Sequence, residues 1–221
     1  MAHGTVIVGT GQGGFQLAAS LRDSDYADPI TLVGDEPGLP YQRPPLSKAF
    51  LQGKVDDTGL LLRPPPFYQR IDARVLGGTR VARIDRAARG VHLSSGQTLP
   101  YDHLVLATGA TARTLCVPGA GLSGVHVLRG LEDARRIREQ LARARSVAVV
   151  GAGFIGLELA AVARGQGLPM HVIEATARPL LRALSEPMAR HLQAFHEAQG
   201  TQFHLNTQLD AIEGEDGRAT G

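Results

Sequence analysis

The stretch that decides the fold is Thr5-Val6-Ile7-Val8-Gly9-Thr10-Gly11-Gln12-Gly13-Gly14. Its four β-branched residues are typical of a buried parallel strand, and a helix-forming segment follows from Phe15 to Leu21. In the G-x-G-x-x-G spacing, the first glycine permits a tight turn and the second lets a phosphate approach the backbone. The third lets the helix pack closely on the strand. The stretch therefore predicts a dinucleotide-binding βαβ unit.

The same arrangement occurs a second time. Val147–Val150 leads into Gly151-Ala152-Gly153-Phe154-Ile155-Gly156, and a helix is expected over Leu157–Ala163. One glycine match alone would be a weak signal, because 27 of the 221 residues are glycine. The repeated order of strand, glycines and helix strengthens both matches and predicts that the chain holds two dinucleotides.

Acidic residues complete both patterns at the end of the next predicted strand. Asp35 and Glu36 follow Ile30–Val33, and Glu174 follows Met170–Ile173. An acid about 20 residues beyond the glycines accepts hydrogen bonds from a ribose hydroxyl. Each acid taken singly could be an ordinary solvated carboxylate. Because the order of strand, glycines, helix, strand and acid occurs twice, binding of a ribose hydroxyl is favoured.

The segment Leu39-Pro40-Tyr41-Gln42-Arg43-Pro44-Pro45-Leu46-Ser47-Lys48 is the most specific string in the chain. With Asp35-Glu36-Pro37 before it, it resembles the flavin-dependent ferredoxin reductases that supply oxygenases and cytochromes P450. These are relatives of apoptosis-inducing factor within the pyridine nucleotide-disulfide oxidoreductases. A rigid proline loop carrying Arg43 and Lys48 as surface charges is the alternative, although Lys48 is one of only two lysines.

The resemblance implies an FAD site and an NADH site. In the FAD site, Asp35 or Glu36 would hold the adenosine ribose, Arg43 would lie along the cofactor and Lys48 would approach the reactive flavin edge. The implied FAD residues are Gly9, Thr10, Gly11, Gln12, Gly13, Gly14, Asp35, Glu36, Arg43, Lys48, Val81 at the adenine, Ala107, Thr108 and Gly109 after an apolar strand, and Arg129 at the flavin. The implied NADH residues are Gly151, Gly153, Phe154, Ile155, Gly156, Glu158, Glu174 and Arg182.

Glu158 follows the second glycine pattern by two positions and lies in the first turn of the predicted helix. In the family an acid there comes near the nicotinamide and the motif lysine. The resemblance thus implies catalytic roles for Glu158 and Lys48 as an ion pair beside the flavin N5. The alternative is that Glu158 only favours the positive end of the helix dipole.

The choice of nucleotide is predicted from Glu174, whose carboxylate would meet the 2′-phosphate of NADPH at close range. NADH should therefore be preferred. Arg178 and Arg182 weaken the prediction, since either could pair with that phosphate, although Arg182 could equally hold the bridging phosphate of NADH.

A single cysteine, Cys116, excludes an internal dithiol of the kind that disulfide reductases use. It stands in the apolar stretch Leu115–Pro118 and is expected to be a buried, inert thiol. Electrons that arrive as hydride must then leave directly from the flavin. Because a flavin releases electrons singly, a ferredoxin or rubredoxin suits as the partner.

Composition excludes several other classes. The formal net charge of +2 does not indicate nucleic-acid binding, and no apolar run approaches the roughly 18 residues of a membrane span. His191 and His196 have poor spacing for a metal site, so no metal is expected. The arginines of 135–138 are expected on the solvated face of a helix. A reducing cytoplasm is the simplest location.

The predicted fold is α/β, with two doubly wound Rossmann-like domains built on parallel sheets. An FAD-binding domain is expected over residues 1–112 and an NAD-binding domain over 113–221. Pro64–Pro66 are expected in an irregular loop, and a small β segment around residues 74–100. Because family members continue well beyond this length, both domains are expected to be incomplete, and Glu213–Gly221 resembles a hairpin turn cut before its return strand.

The leading hypothesis is a flavoprotein that passes hydride from NADH to FAD and single electrons to a ferredoxin or rubredoxin of an oxygenase system. The alternatives are an NADH oxidase, a redox-sensing dinucleotide-binding protein like apoptosis-inducing factor, and an inactive truncated module. Reduction of an added iron–sulfur protein separates the first from the others.

Overall fold

The structure is a computed structural model that describes residues 3–220. Its contacts divide the chain into two compact units. The first unit comprises the described residues up to Arg43 together with Asp56–Thr111, and the second comprises Pro44–Val55 together with the residues from Ala112 onward. The predicted domains 1–112 and 113–221 stay a prediction. The predicted domains differ from the observed units at Pro44–Val55. This segment lies in the predicted FAD domain, but its contacts place it in the second unit.

The first unit is built on a parallel sheet. Its elements are β1 (Thr5–Val8), α1 (Gln12–Asp23), β2 (Ile30–Val33), α2 (Asp57–Leu60), α3 (Pro65–Arg70), β3 (Ala73–Leu76), β4 (Val81–Asp85), β5 (Gly90–Leu93), β6 (Thr98–Pro100) and β7 (His103–Leu106). The four parallel strands lie in the order β3-β2-β1-β7. All of β1 is buried, as its unbroken apolar run predicted.

The two faces of this sheet are covered by different layers. Val6 and Val8 point to one face and pack with Val91 and Leu99 of the antiparallel sheet β4-β5-β6. Ile7 points to the other face and packs with residues of α1. This alternation places the core on both sides of β1 and leaves the carboxyl ends of the strands free to form a site.

Two local expectations for the first unit have opposite outcomes. The β segment predicted around residues 74–100 is confirmed by β3 to β6. The irregular loop predicted at Pro64–Pro66 is wrong, because α3 begins at Pro65 with Pro64 as its N-cap. Proline is tolerated in the first helical turn, where its missing N–H would have had no helical partner.

The second unit repeats the parallel arrangement on a smaller sheet. Its elements are a 3₁₀ turn (Pro44–Ser47), α4 (Leu131–Leu141), β8 (Val147–Val150), α5 (Phe154–Gly165), β9 (Met170–Ile173), α6 (Glu186–Ala198), β10 (Thr201–His204), β11 (Gly214–Glu215) and β12 (Arg218–Ala219). The strand order is β10-β9-β8. Both helices that follow a fingerprint are longer than predicted, at 12 residues each for α1 and α5.

The strand expected at Val147–Val150 forms as β8, but the expectation that it is buried is wrong. Ala148 and Val150 are exposed, Val150 by 43%, whereas Val147 and Val149 are partly covered. In the first unit an antiparallel sheet covers the corresponding face. The exposure of Ala148 and Val150 shows that residues 3–220 place no such layer over this face of the second sheet.

The last described residues form a short hairpin. Glu215 of β11 pairs with Arg218 of β12, so the expectation that the return strand is missing is wrong. Gly221, the last residue of that predicted tail, lies outside the described residues. The chain between β7 and α4 has no regular structure and leaves Cys116 exposed, which corrects the expectation of a buried thiol. Burial alternates along this segment, so the apolar neighbours Leu115 and Val117 are partly covered while Cys116 is not.

Arg22 and Arg164 hold equivalent places in the two units. Each lies in the last turn of the helix that follows a fingerprint. Arg22 donates to the carbonyls of Tyr26, Asp28, Ile71 and Asp72. Arg164 likewise donates to the carbonyls of Leu168 and Gln199. Each guanidinium therefore joins the end of its helix to the loop beyond it and to a second, sequence-distant loop.

Candidate functional site

In the first glycine turn, two glycines are required by packing within the protein, and the third borders open space. Gly9 has a φ of +123°, and a Cβ there would lie 2.1 Å from the carbonyl oxygen of Ala107. A Cβ on Gly14 would lie 2.0 Å from the carbonyl oxygen of Gly9. By contrast, a Cβ on Gly11, the N-cap of α1, would meet nothing within 4 Å. Packing within the protein therefore explains Gly9 and Gly14, and Gly11 borders open space at a helix N-terminus that suits a phosphate.

The second turn repeats this division. Gly151 has a φ of +101°, and a Cβ on Gly156 would lie 2.3 Å from the Gly151 carbonyl oxygen. Gly153, the N-cap of α5, again borders space with no atom within 4 Å of a Cβ. Phe154 and Ile155 follow it with 58% and 53% of their surface exposed. The start of α5 thus presents two apolar side chains beside a backbone fitted to an anion.

Glu174 is joined directly to the second turn. Its Oε2 accepts a hydrogen bond from the N–H of Ala152 at 2.7 Å. Its Oε1 accepts from the backbone N–H and the hydroxyl of Thr176, both at 2.8 Å. Burial raises the pKa of Glu174, but these hydrogen bonds outweigh it and the pKa is lowered overall. The carboxylate is therefore held as an anion, in one orientation, next to the glycine turn.

The acids after β2 are arranged differently. Asp35 is exposed, whereas Glu36 accepts a hydrogen bond from the Tyr41 hydroxyl and forms an ion pair with Arg43. The sequence left Asp35 and Glu36 as alternatives for the ribose. Only Glu36 is given a fixed orientation by its neighbours.

A reciprocal exchange of side chains explains this difference between the units. In the first unit a Cβ on Gly34, directly after β2, would lie 2.1 Å from the hydroxyl of Thr10. In the second unit the residue directly after β9 is Glu174, and the fingerprint residue beside it is the small Ala152. The space between the glycine turn and the end of the second strand is occupied by the Thr10 side chain in the first unit. In the second unit the Glu174 side chain reaches the turn from the end of β9. The acid of the first unit consequently stands further along the loop.

The other residues predicted for the FAD site have varied surroundings. The end of β7 reaches the first turn, since Ala107 and Thr108 border Gly9. Val81 begins β4, and its side chain packs against the core of the first unit. Arg129 belongs to the second unit, where its backbone N–H donates to Asp133. Their roles toward a cofactor stay predictions.

Lys48 and Glu158 form the predicted ion pair. The Nζ of Lys48 lies 2.8 Å from Oε2 of Glu158 and 3.2 Å from the carbonyl oxygen of Pro44. Because α5 begins at Phe154, Glu158 lies in its second turn, whereas the sequence predicts the first turn. The helix dipole acts chiefly within the first turn, so it does not account for this acid. Residue roles in a reaction stay predictions, but the pair itself is present.

The segment that carries Lys48 is anchored to the second unit. Phe50 is fully buried, and the guanidinium of Arg138 on α4 lies 4.4 Å from its ring centroid. The expectation of a solvated position is therefore wrong for Arg138. Arg136 is exposed, as expected, and pairs with Glu132. The packing of Phe50 fixes the position from which Lys48 reaches Glu158.

The sequence offers two arginines that bear on nucleotide choice, Arg178 and Arg182, and the structure distinguishes them. Arg178 donates to the carbonyl of Leu184 at 2.8 Å and to that of Leu181 at 3.2 Å, so its guanidinium holds a turn of its own backbone. Arg182 is exposed. Only Arg182 thus stays as a candidate for a phosphate.

Sequence reasoning missed three residues that orient the site: Tyr41, Ser47 and Thr176. Tyr41 and Ser47 both belong to the motif Leu39–Lys48, but the sequence does not indicate their role. In the structure Tyr41 donates to Glu36 and Ser47 donates to Glu158. Thr176 had no signal beyond its place two residues after Glu174. Short hydroxyl side chains are common in loops, so their type alone predicts little.

Two kinds of feature are absent from the described residues. Residues 3–220 contain no helix that is both long and apolar enough to cross a membrane. The same residues bring together no group of three or more His, Cys, Asp or Glu side chains that could hold a metal ion.

The chain matches known proteins over almost its whole length. The family model of the pyridine nucleotide-disulphide oxidoreductases matches residues 3–220. The chain belongs to this family. It is 48% identical over 216 residues to rhodocoxin reductase of Rhodococcus erythropolis, covering 98% of this chain and 51% of that protein.

Solved structures show the same likeness in three dimensions. The ferredoxin reductase for the CYP199A2 system from Rhodopseudomonas palustris superposes with a TM-score of 0.95 at 41% identity, over 98% of this chain and 54% of that chain. The reductase of a covalent putidaredoxin reductase–putidaredoxin complex gives 0.93 at 39% identity, over 97% and 52%. The chain spans about half the length of these relatives.

Proposed function

We propose that the protein is an NADH-dependent flavoprotein reductase that passes single electrons to a ferredoxin or rubredoxin. The observation that carries the proposal is the pair of glycine turns, in each of which the middle glycine borders open space at a helix N-terminus. Relatives that are named reductases of rhodocoxin, rubredoxin and ferredoxin support it. The two units would be the FAD and NAD domains, and the reaction would take place in the cytoplasm, where NADH is available.

FAD would be held by the first unit. The N-terminus of α1 would receive its pyrophosphate at Gly11, and Glu36 would accept the ribose hydroxyls in the orientation that Tyr41 and Arg43 give it. The residues already present fit this group, because a Cβ on Gly11 would lie in space with no protein atom within 4 Å.

NADH would be held by the second unit. Gly153 would receive its pyrophosphate, Glu174 its adenosine ribose, and Arg182 a bridging phosphate. Phe154 and Ile155 offer an apolar surface at the start of α5. Since Glu174 is kept ionised by its hydrogen bonds, it would repel the additional phosphate of NADPH.

Lys48 and Glu158 would act on charge and orientation, not as donors or acceptors of hydride. The Glu158 carboxylate would orient the nicotinamide, and the Lys48 ammonium would stabilise negative charge on the reduced flavin. When bound, the flavin takes two electrons at once and releases them singly. The single cysteine leaves these 221 residues without a dithiol relay, which favours direct transfer to a one-electron acceptor.

The test uses the protein at its natural length. It should purify with flavin absorbance, be reduced by NADH in a stopped-flow mixture, and reduce an added [2Fe–2S] ferredoxin or a rubredoxin faster than it reduces dioxygen. Reduction of dioxygen at an equal or greater rate would favour the NADH oxidase alternative. Absence of bound flavin after reconstitution with FAD would reject the proposal altogether.

A further inference from the structure

Ser47 lies directly before Lys48, at the end of the 3₁₀ turn. It is one of few buried polar residues, with 5% of its surface exposed. Its hydroxyl donates a hydrogen bond to Oε2 of Glu158, the same oxygen that accepts from the Lys48 ammonium. Two consecutive residues therefore hold one carboxylate oxygen of α5.

The two donors differ in how much order they impose. The Lys48 side chain is 50% exposed and long, and such an ion pair is worth little by itself because ordering the side chain costs entropy. Ser47 is short and buried, and a hydroxyl bonded to a carboxylate is a strong, charge-assisted interaction. The orientation of Glu158 thus comes chiefly from Ser47, and Lys48 meets a carboxylate that is already placed.

We infer that Ser47 is the positioning residue of the Lys48–Glu158 pair. It fixes the carboxylate of Glu158 so that the pair keeps one geometry. The kinetic consequences rest on the proposed function, whereas the effect on the pair itself does not. The experiment therefore has one arm that needs no cofactor.

The first arm measures acylation of lysine with an N-hydroxysuccinimide ester, followed by mass spectrometry. Lys48 and Lys54 are the only lysines, and the exposed Lys54 is the internal standard. Ser47→Ala should raise labelling of Lys48 relative to Lys54 by about two- to fivefold, the range given by the free energy of an exposed ion pair. Ser95→Ala, at an exposed serine after β5, should leave the ratio unchanged.

The second arm measures flavin reduction by NADH in the protein at natural length. Ser47→Ala should slow reduction about tenfold, as loss of a hydrogen bond to a charged group predicts, with flavin content and KM unchanged. Ser47→Thr, which keeps the hydroxyl, should restore most of the rate. In a Glu158→Ala background Ser47→Ala should have no further effect, because the two residues act through one contact.

Three results separate the possibilities. A labelling ratio and a reduction rate equal to those of the parent would overturn the inference. A rate loss that persists undiminished in the Glu158→Ala background would also overturn it, because Ser47 would then act elsewhere. If the parent itself is not reduced by NADH, the proposed function fails, and the labelling ratio still decides the role of Ser47.

Discussion

The backbone N–H of Ala152 lies 2.7 Å from Oε2 of Glu174, so the acid that ends β9 is bonded to the glycine turn that ends β8. This contact couples the position of the carboxylate to the turn that would bind pyrophosphate.

The choice of nucleotide should depend on the charge of Glu174. Glu174→Gln keeps the size and an acceptor oxygen but removes the negative charge, so the preference for NADH over NADPH should fall about tenfold. Steady-state kcat/KM values for both nucleotides give the ratio. Glu197→Gln, at an exposed acid of α6, is the matched control. Equal efficiencies with NADH and NADPH in the parent would contradict the role of Glu174.

Gly11 and Gly14 should fail in different ways. Gly11→Val should keep the free energy of unfolding within about 1 kcal/mol, because a Cβ at this position has no protein atom within 4 Å, yet it should abolish FAD binding. Gly14→Ala should destabilise the fold by on the order of 2 kcal/mol, because its Cβ overlaps the Gly9 carbonyl. Thermal unfolding without cofactor and flavin absorbance after reconstitution distinguish them. A Gly11→Val protein with full flavin absorbance would refute the phosphate site.

Removal of either member of the Lys48–Glu158 pair should slow flavin reduction without loss of flavin. Lys48→Ala and Glu158→Ala each leave a charge without its partner, and both should reduce the stopped-flow rate by about tenfold or more. Lys54→Ala is the control at the other lysine. Parent-like rates in both variants would leave the pair a structural contact only.

Arg22 should stabilise the protein through the carbonyls that it joins. Arg22→Ala leaves the carbonyls of Tyr26, Asp28, Ile71 and Asp72 without this donor and should lower the free energy of unfolding by about 2 kcal/mol. Chemical denaturation measures the loss. Arg86→Ala, at an exposed arginine in the turn after β4, should change it by less than about 0.5 kcal/mol. A smaller loss for Arg22→Ala than for Arg86→Ala would contradict the assignment.

Stability should fall in mildly acidic solution because of His196. Burial against Phe203 lowers the pKa of His196, so the folded protein binds a proton less readily than the unfolded chain. The contribution is complete above the unfolded pKa of about 6.5 and is lost as the pH falls below it. His196→Leu should flatten this slope in unfolding curves taken between about pH 7 and pH 5. An unchanged slope would show that other groups cause it.

Several features of the fold and site could be predicted from sequence because they depend on neighbours along the chain. A β-branched run, a glycine spacing and an acid after the next strand define βαβ units locally, and the structure forms β1, β2, β8 and β9 where the pattern placed them. The predicted helix ends were less accurate. Helix α5 begins three residues earlier than predicted, so Glu158 lies in its second turn.

Other features depended on which residues meet across the fold. Whether a strand is buried depends on the elements that pack over its sheet. The apolar sequence of β8 therefore does not indicate that one of its faces is exposed. The same holds for Cys116, whose apolar neighbours suggested burial that an irregular segment does not provide.

The sequence by itself determined the two glycine turns, the acid after each second strand and the motif that carries Lys48, because each is a short-range pattern of residue types. Only the tertiary structure decided that Glu36 and not Asp35 is held in place, that Arg178 is engaged by carbonyls, and that Ser47 bonds Glu158. These contacts join residues that are far apart in sequence or that compete locally for one space. Their outcome is set by packing, which a one-dimensional pattern does not contain.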